Sequence, residues 1–182
     1  MTAKPKEIAG ISGRVIGYVG GVKNTIDQRL VGYLAERLPD YTFIFVGPIQ
    51  TDISYLGRFK NVVFTGQKPH SELPDYIKYF DACIVPYAKN DYSDNVCLAK
   101  LNEYLIMGKP VISTKLKETE SFSRESGNIL YIAKDYGDFV RLICEAIESD
   151  NAALRSDRRE VAFCNSWDRK VELMSDIVEK AF

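Results

Sequence analysis

The sequence predicts an α/β fold, a doubly wound, Rossmann-like parallel sheet of about six strands with helices on both faces. Short apolar runs alternate along the chain with segments of helical periodicity, as expected for strands joined by crossover helices. The runs are continuously apolar, which is typical of strands buried on both faces. Sheets of this kind bind ligands beyond the carboxyl ends of their strands, so the loops that follow the strands are the candidate sites.

Apolar runs and turn residues define the predicted elements. The predicted strands are residues 14–20, 41–47, 61–66, 82–87, 110–114 and 128–133. The predicted helices are residues 24–38, 71–80, 97–107, 135–149 and 167–182. Gly108 can end the third of these helices in a left-handed cap, and Pro110 then opens the next strand. Asn95 is the predicted N-cap of the third helix, and Ser166 or Asn165 is that of the last.

Length, composition and charge indicate one globular domain. The chain has 182 residues, of which 46% are hydrophobic and 27% are charged, and its net charge is −1. A nucleic-acid-binding protein usually carries a basic stripe, so nucleic acid is not an expected partner. No apolar run approaches the roughly 20 residues of a membrane span, and the N-terminus lacks the apolar core of a signal peptide.

The cysteines and the single histidine bear on compartment and chemistry. Cys83, Cys97, Cys144 and Cys164 lie in apolar segments without a CxxC pair, so we expect buried, reduced thiols in a cytoplasmic protein. His70 is the only histidine, which argues against a zinc site and a catalytic triad. We expect His70 to cap a helix or to lie at the surface.

The domain boundary is predicted near residue 13. Residues 1–12 are polar and contain proline and glycine, so we expect a linker or a frayed end there. Residues 13–182 hold all of the predicted strands and helices and form the single predicted domain.

The segment 98–114, LAKLNEYLIMGKPVIST, carries the strongest functional signal. Lys100 and Glu103 stand three residues apart and are therefore neighbours on its helix. A helix that begins near a strand end presents free backbone N–H groups that suit an anion. Lys100 can thus help to hold a phosphate, and Glu103 can accept hydrogen bonds from a polyol, a combination that nucleotide sugars require. The alternative is an ordinary surface Lys–Glu pair.

Three loops at strand ends allow a functional and a structural interpretation. Gly20 and Gly21 match neither the dinucleotide fingerprint nor the P-loop, but they can admit a phosphate beside Lys23; otherwise they form a tight turn. In the loop 66–74, Pro69 favours extended backbone that can pair with a base edge, or the loop is a plain connection. Asp91 and Asp94 can ligate a divalent metal or form a solvated acidic turn.

These segments together resemble the C-terminal, donor-binding domain of GT-B-fold glycosyltransferases. The likeness is greatest to the bacterial, family-4-like branch that includes polysaccharide-building and glucuronosyl transferases. It covers roughly residues 13–123 and is carried by residues 17–27, 42–48, 61–87 and 100–114. The chain would then form one half of a GT-B fold.

The resemblance implies a role for each candidate residue. Glu103 would bind the ribose hydroxyls, and Lys100 with nearby backbone N–H groups would face the diphosphate or the sugar. Those backbone groups belong to Asn95, Val96, Cys97, Leu98 and Ala99. The remaining implied contacts are Gly20, Gly21 and Lys23 at the diphosphate and Gln67, Lys68 and Pro69 at the base. No metal is required, because the helix dipole and basic groups stabilise the departing diphosphate.

The chain departs from the family pattern in three ways. Asn95 stands where many relatives carry a glutamate, and Gly21 stands where many carry an arginine, with Lys23 as the available substitute. Cys97 and Leu98 replace a Ser-Pro pair that precedes the helix in the branch.

The implied function is transfer of a sugar from a UDP- or GDP-type donor to an acceptor in polysaccharide or glycoconjugate synthesis. Enzymes of this fold place the site between two such domains. We therefore expect an acceptor-binding N-terminal domain, on a missing part of the chain or on a partner subunit, and with it any contact with the inner face of the membrane. The last helix, residues 167–182, would return to that domain and here expose part of its apolar face. The alternative is a non-catalytic Rossmann-like module that binds a nucleotide or sugar phosphate and needs a partner chain.

Overall fold

The predicted doubly wound sheet is confirmed. A computed structural model describes residues 4–96 and 99–181 of the chain, without the side chains of Asn95, Leu173 and Ala181. The strands are β1 Arg14–Val19, β2 Tyr41–Val46, β3 Val62–Gly66, β4 Ala82–Val85, β5 Val111–Thr114 and β6 Tyr131–Ala133. All neighbouring strands are parallel, in the order β3-β2-β1-β4-β5-β6. The order reverses between β1 and β4, and ligands of open α/β sheets bind at such a switch point.

The described part of the chain contains the five predicted helices, with shifted ends, and three further ones. In chain order the helices are α1 Lys6–Ala9, α2 Gln28–Arg37, α3 Leu73–Ile77, α4 Lys100–Ile106, α5 Lys117–Glu125, α6 Tyr136–Glu148, α7 Ala152–Cys164 and α8 Trp167–Ala181. The further helices are α1, α5 and α7. Short 3-10 turns lie at Leu56–Arg58, His70–Glu72 and Ser93–Asn95. None of the helices within the described residues is both long and apolar enough to cross a membrane.

The core lies between the sheet and its helices. Ile16, Phe43, Ile84 and Ile112 are fully buried on four adjacent strands. Gly17 in β1 is required by this packing, because a Cβ there would come within 1.9 Å of the Phe80 ring. The continuous apolar strands thus bury both of their faces, as parallel strands do.

The start of α4 differs from the prediction. The helix begins at Lys100 rather than at residue 97, its N-cap is Ala99, and no side chain caps it. Asn95 ends a 3-10 turn instead, so the prediction that it caps α4 is wrong. The cause is local: the Ser93 hydroxyl donates to the Ala88 carbonyl at 2.5 Å, and Asn90 and Ser93 exchange two further hydrogen bonds. Such side-chain-to-backbone bonds compete with helix formation.

Helix α5 was not predicted from the sequence. Its buried residues are Thr119 and Ser123, so no apolar period marks it. The Thr119 hydroxyl closes the first turn by accepting from the Leu116 N–H at 3.2 Å. Asp94 accepts from the Lys117 N–H at 3.2 Å and thereby ties the loop after β4 to the start of α5.

The N-terminal stretch is packed rather than frayed. Residues 6–9 form the short helix α1, whose Ile8 side chain is fully buried. This departs from the expectation for the described part of residues 1–12, since one buried apolar side chain suffices to anchor the turn. Its role as an interdomain linker stays a prediction.

Cys164 corrects the prediction of buried thiols. Cys83 is buried and Cys144 is half-buried, whereas Cys164 is exposed at the end of α7. The neighbouring Phe163 is exposed as well, so this end of α7 lies outside the core. Cys97 lies outside the described residues.

The exposed apolar face predicted for the last helix is confirmed. Helix α8 begins at Trp167, and the Ser166 hydroxyl accepts from the Arg169 N–H at 3.4 Å in its first turn, as expected of an N-cap. More than half of the surface of each large apolar residue described on this helix is exposed. These residues are Trp167, Val171, Met174, Ile177 and Val178.

Helix α7 supports α4 from behind. The buried Arg158 guanidinium donates to the Gly108 carbonyl at 3.0 Å and to Asp150 at 2.5 Å. Lys109 is also structural, because its ammonium donates to the carbonyls of Lys78 and Phe80 at 2.8 and 2.7 Å. The turn between α4 and β5 is thus held by cations that satisfy backbone carbonyls.

Candidate functional site

The glycine pair after β1 lies directly against α4. Gly20 adopts a φ of +135°, a conformation that residues with a Cβ rarely adopt. A Cβ at this position would stand 2.8 Å from the Lys100 Nζ. A glycine is therefore required at position 20 both by the dihedral angle and by the close approach of Lys100. The same residue thus forms the tight turn and allows the contact with α4.

A second glycine makes this turn possible. Gly47, at the end of β2, has a φ of +150°, and a Cβ there would meet the Gly20 carbonyl oxygen at 2.1 Å. The Gly20 N–H donates to the Val46 carbonyl at 2.9 Å. The loop after β1 is thus bonded to the end of β2, and its backbone is held in place before any ligand arrives.

Lys100 is enclosed by two buried tyrosines. Its Nζ donates to the Tyr18 hydroxyl at 2.9 Å and to the Tyr87 hydroxyl at 2.8 Å. The same nitrogen lies 4.1 Å and 5.2 Å from the centroids of the Tyr18 and Tyr87 rings. Lys100 therefore does not form the ordinary surface pair that its spacing from Glu103 allowed.

The pKa of Lys100 is lowered to about 7. The main cause is burial, which disfavours the charged ammonium; the positive charge of Lys23 adds to this, and the carboxylate of Glu103 opposes it. Lys100 consequently titrates near neutral pH, far from the ordinary range of a lysine. The loop after β1 and the start of α4 thus share an electrostatic environment.

Glu103 faces the loop that follows β3. Its carboxylate lies 3.7 Å from the His70 Nε2, and 42% of the Glu103 side chain is exposed. His70 opens the 3-10 turn at the end of this loop, next to Pro69. The structure thus brings the proposed ribose-binding carboxylate and the proposed base-binding loop to the same edge of the sheet.

The side chain of Lys68 is engaged elsewhere. Its ammonium donates to the Glu7 carboxylate at 2.7 Å, and the Tyr76 hydroxyl donates to the same carboxylate at 2.9 Å. Burial raises the pKa of Glu7, but these bonds and a backbone N–H outweigh it and lower the pKa to about 2. Lys68 can therefore offer a base only its backbone groups, while Gln67 and Pro69 are exposed beside it.

The segment before α4 is described only in part. Val96 is extended and half-buried, and Ala99 is exposed at the helix start. Cys97 and Leu98, both predicted to face the donor, lie outside the described residues, as does the side chain of Asn95. The backbone contacts expected around the start of α4 stay predictions.

Lys23 lines an open cleft in front of the glycine pair. The cleft has a volume of ≈ 470 Å³ and is walled by Lys23, Asn24, Thr25, Gln50, Asn90 and Tyr92. It lies between the loop after β1 and the loop after β4, so a ligand on the backbone of Gly20 and Gly21 can extend into it. A second cavity of ≈ 190 Å³ lies between the starts of α2 and α6, where the Tyr136 hydroxyl donates to Asp27 at 2.7 Å.

Sequence reasoning missed four side chains of this site: Tyr18, Tyr87, His70 and Gln50. Tyr18 and Tyr87 lie in runs that the sequence predicts as apolar strands. The hydroxyl that each carries near the end of its run was the one available sign of a role in the site. His70 and Gln50 reach the site only through folding, because they follow strands that are distant from α4 in sequence.

Known proteins match both the sequence and the fold. A Bacillus subtilis (strain 168) protein, TuaH, whose name describes a teichuronic acid biosynthesis glycosyltransferase, is 34% identical over 167 residues, covering 88% of this chain and 42% of that protein. This chain therefore spans less than half the length of that curated relative.

Solved structures share the fold at low sequence identity. The Anabaena protein HepE, solved with UDP and glucose, matches with a TM-score of 0.71 at 19% identity, over 96% of this chain and 50% of that one. Sucrose-phosphate synthase from Thermosynechococcus elongatus matches with a TM-score of 0.72 at 17% identity, over 94% of this chain and 46% of that one.

The family itself is shown by the sequence. The family model described as "Glycosyl transferases group 1" matches residues 13–149, well over half of the chain, and includes both the glycine pair and α4. This protein therefore belongs to the group 1 glycosyl transferases.

Proposed function

We propose that this chain is the nucleotide-sugar-binding half of an enzyme that transfers a sugar from a nucleotide diphosphate donor to an acceptor in polysaccharide or glycoconjugate synthesis. One observation carries the proposal. Helix α4 holds Lys100 against the glycine pair and Glu103 against the loop after β3, at the switch point of the sheet. A cation and a carboxylate placed in this way can meet the diphosphate and the ribose of one ligand.

Each group has a distinct role in donor binding. Lys100 and the backbone of Gly20 and Gly21 meet the diphosphate, with Lys23 at the cleft wall. Glu103 accepts hydrogen bonds from the ribose hydroxyls, and the exposed backbone of residues 67–69 receives the base. In the family's chemistry the departing diphosphate carries the charge that these groups stabilise. No metal is part of the proposal, and EDTA is expected to leave donor binding unchanged.

The donor is proposed to be a uridine or guanosine nucleotide sugar. Uridine is favoured because HepE, which shares the fold, was solved with UDP and with UDP-glucose. The acceptor site, and any contact with a membrane, would belong to an N-terminal domain or a partner subunit. The coverage of 42% of TuaH and 50% of HepE leaves room for such a half.

Calorimetric titration of UDP, GDP and their sugars tests the proposal directly. Binding is expected in the micromolar to millimolar range, and Glu103→Ala is expected to weaken it by at least tenfold, since the ribose loses a charged hydrogen-bond acceptor. Glu160→Ala, on the exposed face of α7, is the matched control and should bind like the unchanged chain.

Two results would contradict the proposal. One is the failure of every nucleotide diphosphate at millimolar concentration. The other is tight binding of simple sugar phosphates with no competition from nucleotides, which would favour the non-catalytic module.

A further inference from the structure

We propose that Tyr18 and Tyr87 are positioning residues that hold the Lys100 side chain in a buried position, where its amine is neutral while no donor is bound, and that a bound diphosphate draws a proton onto it. The inference rests on the proposed function, because it takes Lys100 as the group that meets the diphosphate. It concerns how the site recognises charge, and it predicts that donor binding takes up a proton.

The hydrogen-bond geometry fixes the Lys100 Nζ in place and leaves one donor of an ammonium without a partner among the described residues. The Tyr18 hydroxyl donates to the Gly21 carbonyl at 3.1 Å and so presents its lone pairs to Lys100. The Tyr87 hydroxyl lies 2.8 Å from the Lys100 Nζ and 3.2 Å from the Tyr18 hydroxyl. Two acceptors match the two N–H groups of an amine, whereas an ammonium has three donors. Among the described residues, Nζ has no third acceptor.

The charges around Lys100 oppose one another, and burial is the larger effect. Tyr18 on β1 and Tyr87 after β4 are both buried, and burial raises the pKa of each hydroxyl, so neither becomes an anion that would pair with Lys100. Lys23, from the loop after β1, repels a charged Lys100, and Glu103 on the same helix attracts it. The group within 4 Å of the Glu103 carboxylate is the His70 imidazole, and not the Lys100 ammonium.

The diphosphate supplies a third acceptor, which the described residues do not provide. Gly20 leaves Nζ uncovered on the side of the glycine backbone, where a Cβ would lie 2.8 Å away. A phosphate oxygen at that side accepts the third hydrogen bond and favours the charged form, as a nearby opposite charge does. One proton passes from solvent to the Lys100 amine, and the tyrosines keep theirs. The ammonium then remains between the two rings, which favour a cation.

Calorimetry with UDP-glucose between pH 6 and 9 tests the inference, because a diphosphate esterified at both ends does not titrate in that range. Repeating the titration in buffers of different ionisation enthalpy counts the protons taken up. We expect uptake of most of one proton near pH 8 and affinity that falls up to about tenfold per pH unit above pH 7.

The variants separate positioning from simple structural support. Tyr87→Phe removes one acceptor from the ammonium, so the fall in affinity is expected to begin at lower pH. Lys100→Arg keeps its charge at every pH, so its binding, whatever its strength, is expected to take up no proton. Tyr131→Phe, at the sheet edge, is the matched control and should reproduce the unchanged profile.

A measurement on the unchanged chain covers the case in which a variant fails to fold. Nitrogen-detected or methylene NMR of the lysine side chains reports the pKa of Lys100 directly, with and without UDP-glucose. We expect a value near 7 that rises by at least about two units on binding, as an uptake of most of one proton near pH 8 requires.

The outcomes are distinguishable. Binding without proton uptake, or a Lys100 pKa above 9 in the empty site, would overturn the inference and leave the proposed function intact. Failure of UDP-glucose and of every other nucleotide diphosphate to bind at any pH would remove both.

Discussion

At the scale of single residues, spacing and environment answer different questions. The three-residue spacing of Lys100 and Glu103 predicted neighbours on one helix, and the structure shows that their partners differ. Lys100 contacts tyrosines from β1 and from the end of β4, while Glu103 faces His70 after β3. A helix spacing specifies which side chains lie together, but the strands packed around the helix decide which of them is buried.

Gly20 carries the residue-scale prediction. Gly20→Ala is expected to weaken UDP binding at least tenfold and to lower the free energy of unfolding by about 1–3 kcal/mol, because the alanine must adopt a φ of +135° with its Cβ against Lys100. Isothermal calorimetry and urea unfolding measure the two effects.

Gly57→Ala is the matched control, since a Cβ at that position meets nothing within 4 Å. Its binding and stability should stay within experimental error of the unchanged chain. If Gly20→Ala behaved like this control, the contact between the glycine pair and Lys100 would not be needed for binding.

At the scale of elements, helix starts and ends are determined by local hydrogen bonds that a hydrophobic pattern does not register. Helix α4 starts late because Asn90 and Ser93 stabilise a 3-10 turn ahead of it. Helix α5 buries a threonine and a serine and was therefore missed. The apolar strands, in contrast, were predicted within a few residues, because burial on both faces leaves a continuous apolar run.

The ion pair between α1 and the loop after β3 carries the element-scale prediction. Glu7→Gln is expected to lower the free energy of unfolding by about 2 kcal/mol at pH 7, because it removes a charged hydrogen-bond acceptor from Lys68 and Tyr76. Urea unfolding at a series of pH values measures the difference.

The sign of the pH dependence follows from the lowered pKa of Glu7. Its folded-state pKa of about 2 lies below the ordinary value of 4.5, so its contribution is full above pH 4.5 and is lost as the pH falls towards 2. The difference in the free energy of unfolding between Glu7→Gln and the unchanged chain should therefore become smaller as the pH falls from 5 to 3. A difference that stayed constant over this pH range would show that the charge of Glu7 does not contribute to stability.

At the scale of the whole molecule, the exposed face of α8 is the main irregularity. Among the side chains described on this helix, five large apolar ones are exposed, including Trp167 and Ile177. Contiguous apolar surface of this kind usually marks a contact with another protein surface. It agrees with the proposal that a second domain or subunit completes the enzyme.

Ile177 carries the prediction at this scale. Ile177→Lys is expected to change the free energy of unfolding by no more than about 0.5 kcal/mol, because the side chain is already exposed. Ile143→Ala, on the buried face of α6, is the contrasting variant and should cost about 2–5 kcal/mol. Thermal and urea unfolding check both values, and a large loss with Ile177→Lys would mean that α8 packs within this chain.

The sequence by itself determined the order of the six strands and of the five helices with a clear apolar period, the glycine turn after β1 and the identity of Lys100 and Glu103 as candidates. These features depend on residues that are near one another along the chain, so spacing, apolar period and glycine conformation suffice to predict them. The tertiary structure alone decided that two tyrosines enclose Lys100, that His70 faces Glu103 and that α1 holds Lys68. Those contacts join residues 13 to 82 positions apart that come from different elements, and no local pattern specifies such a meeting. The environment of Lys100 was for this reason invisible in the sequence, although it sets the charge that the proposed diphosphate site presents.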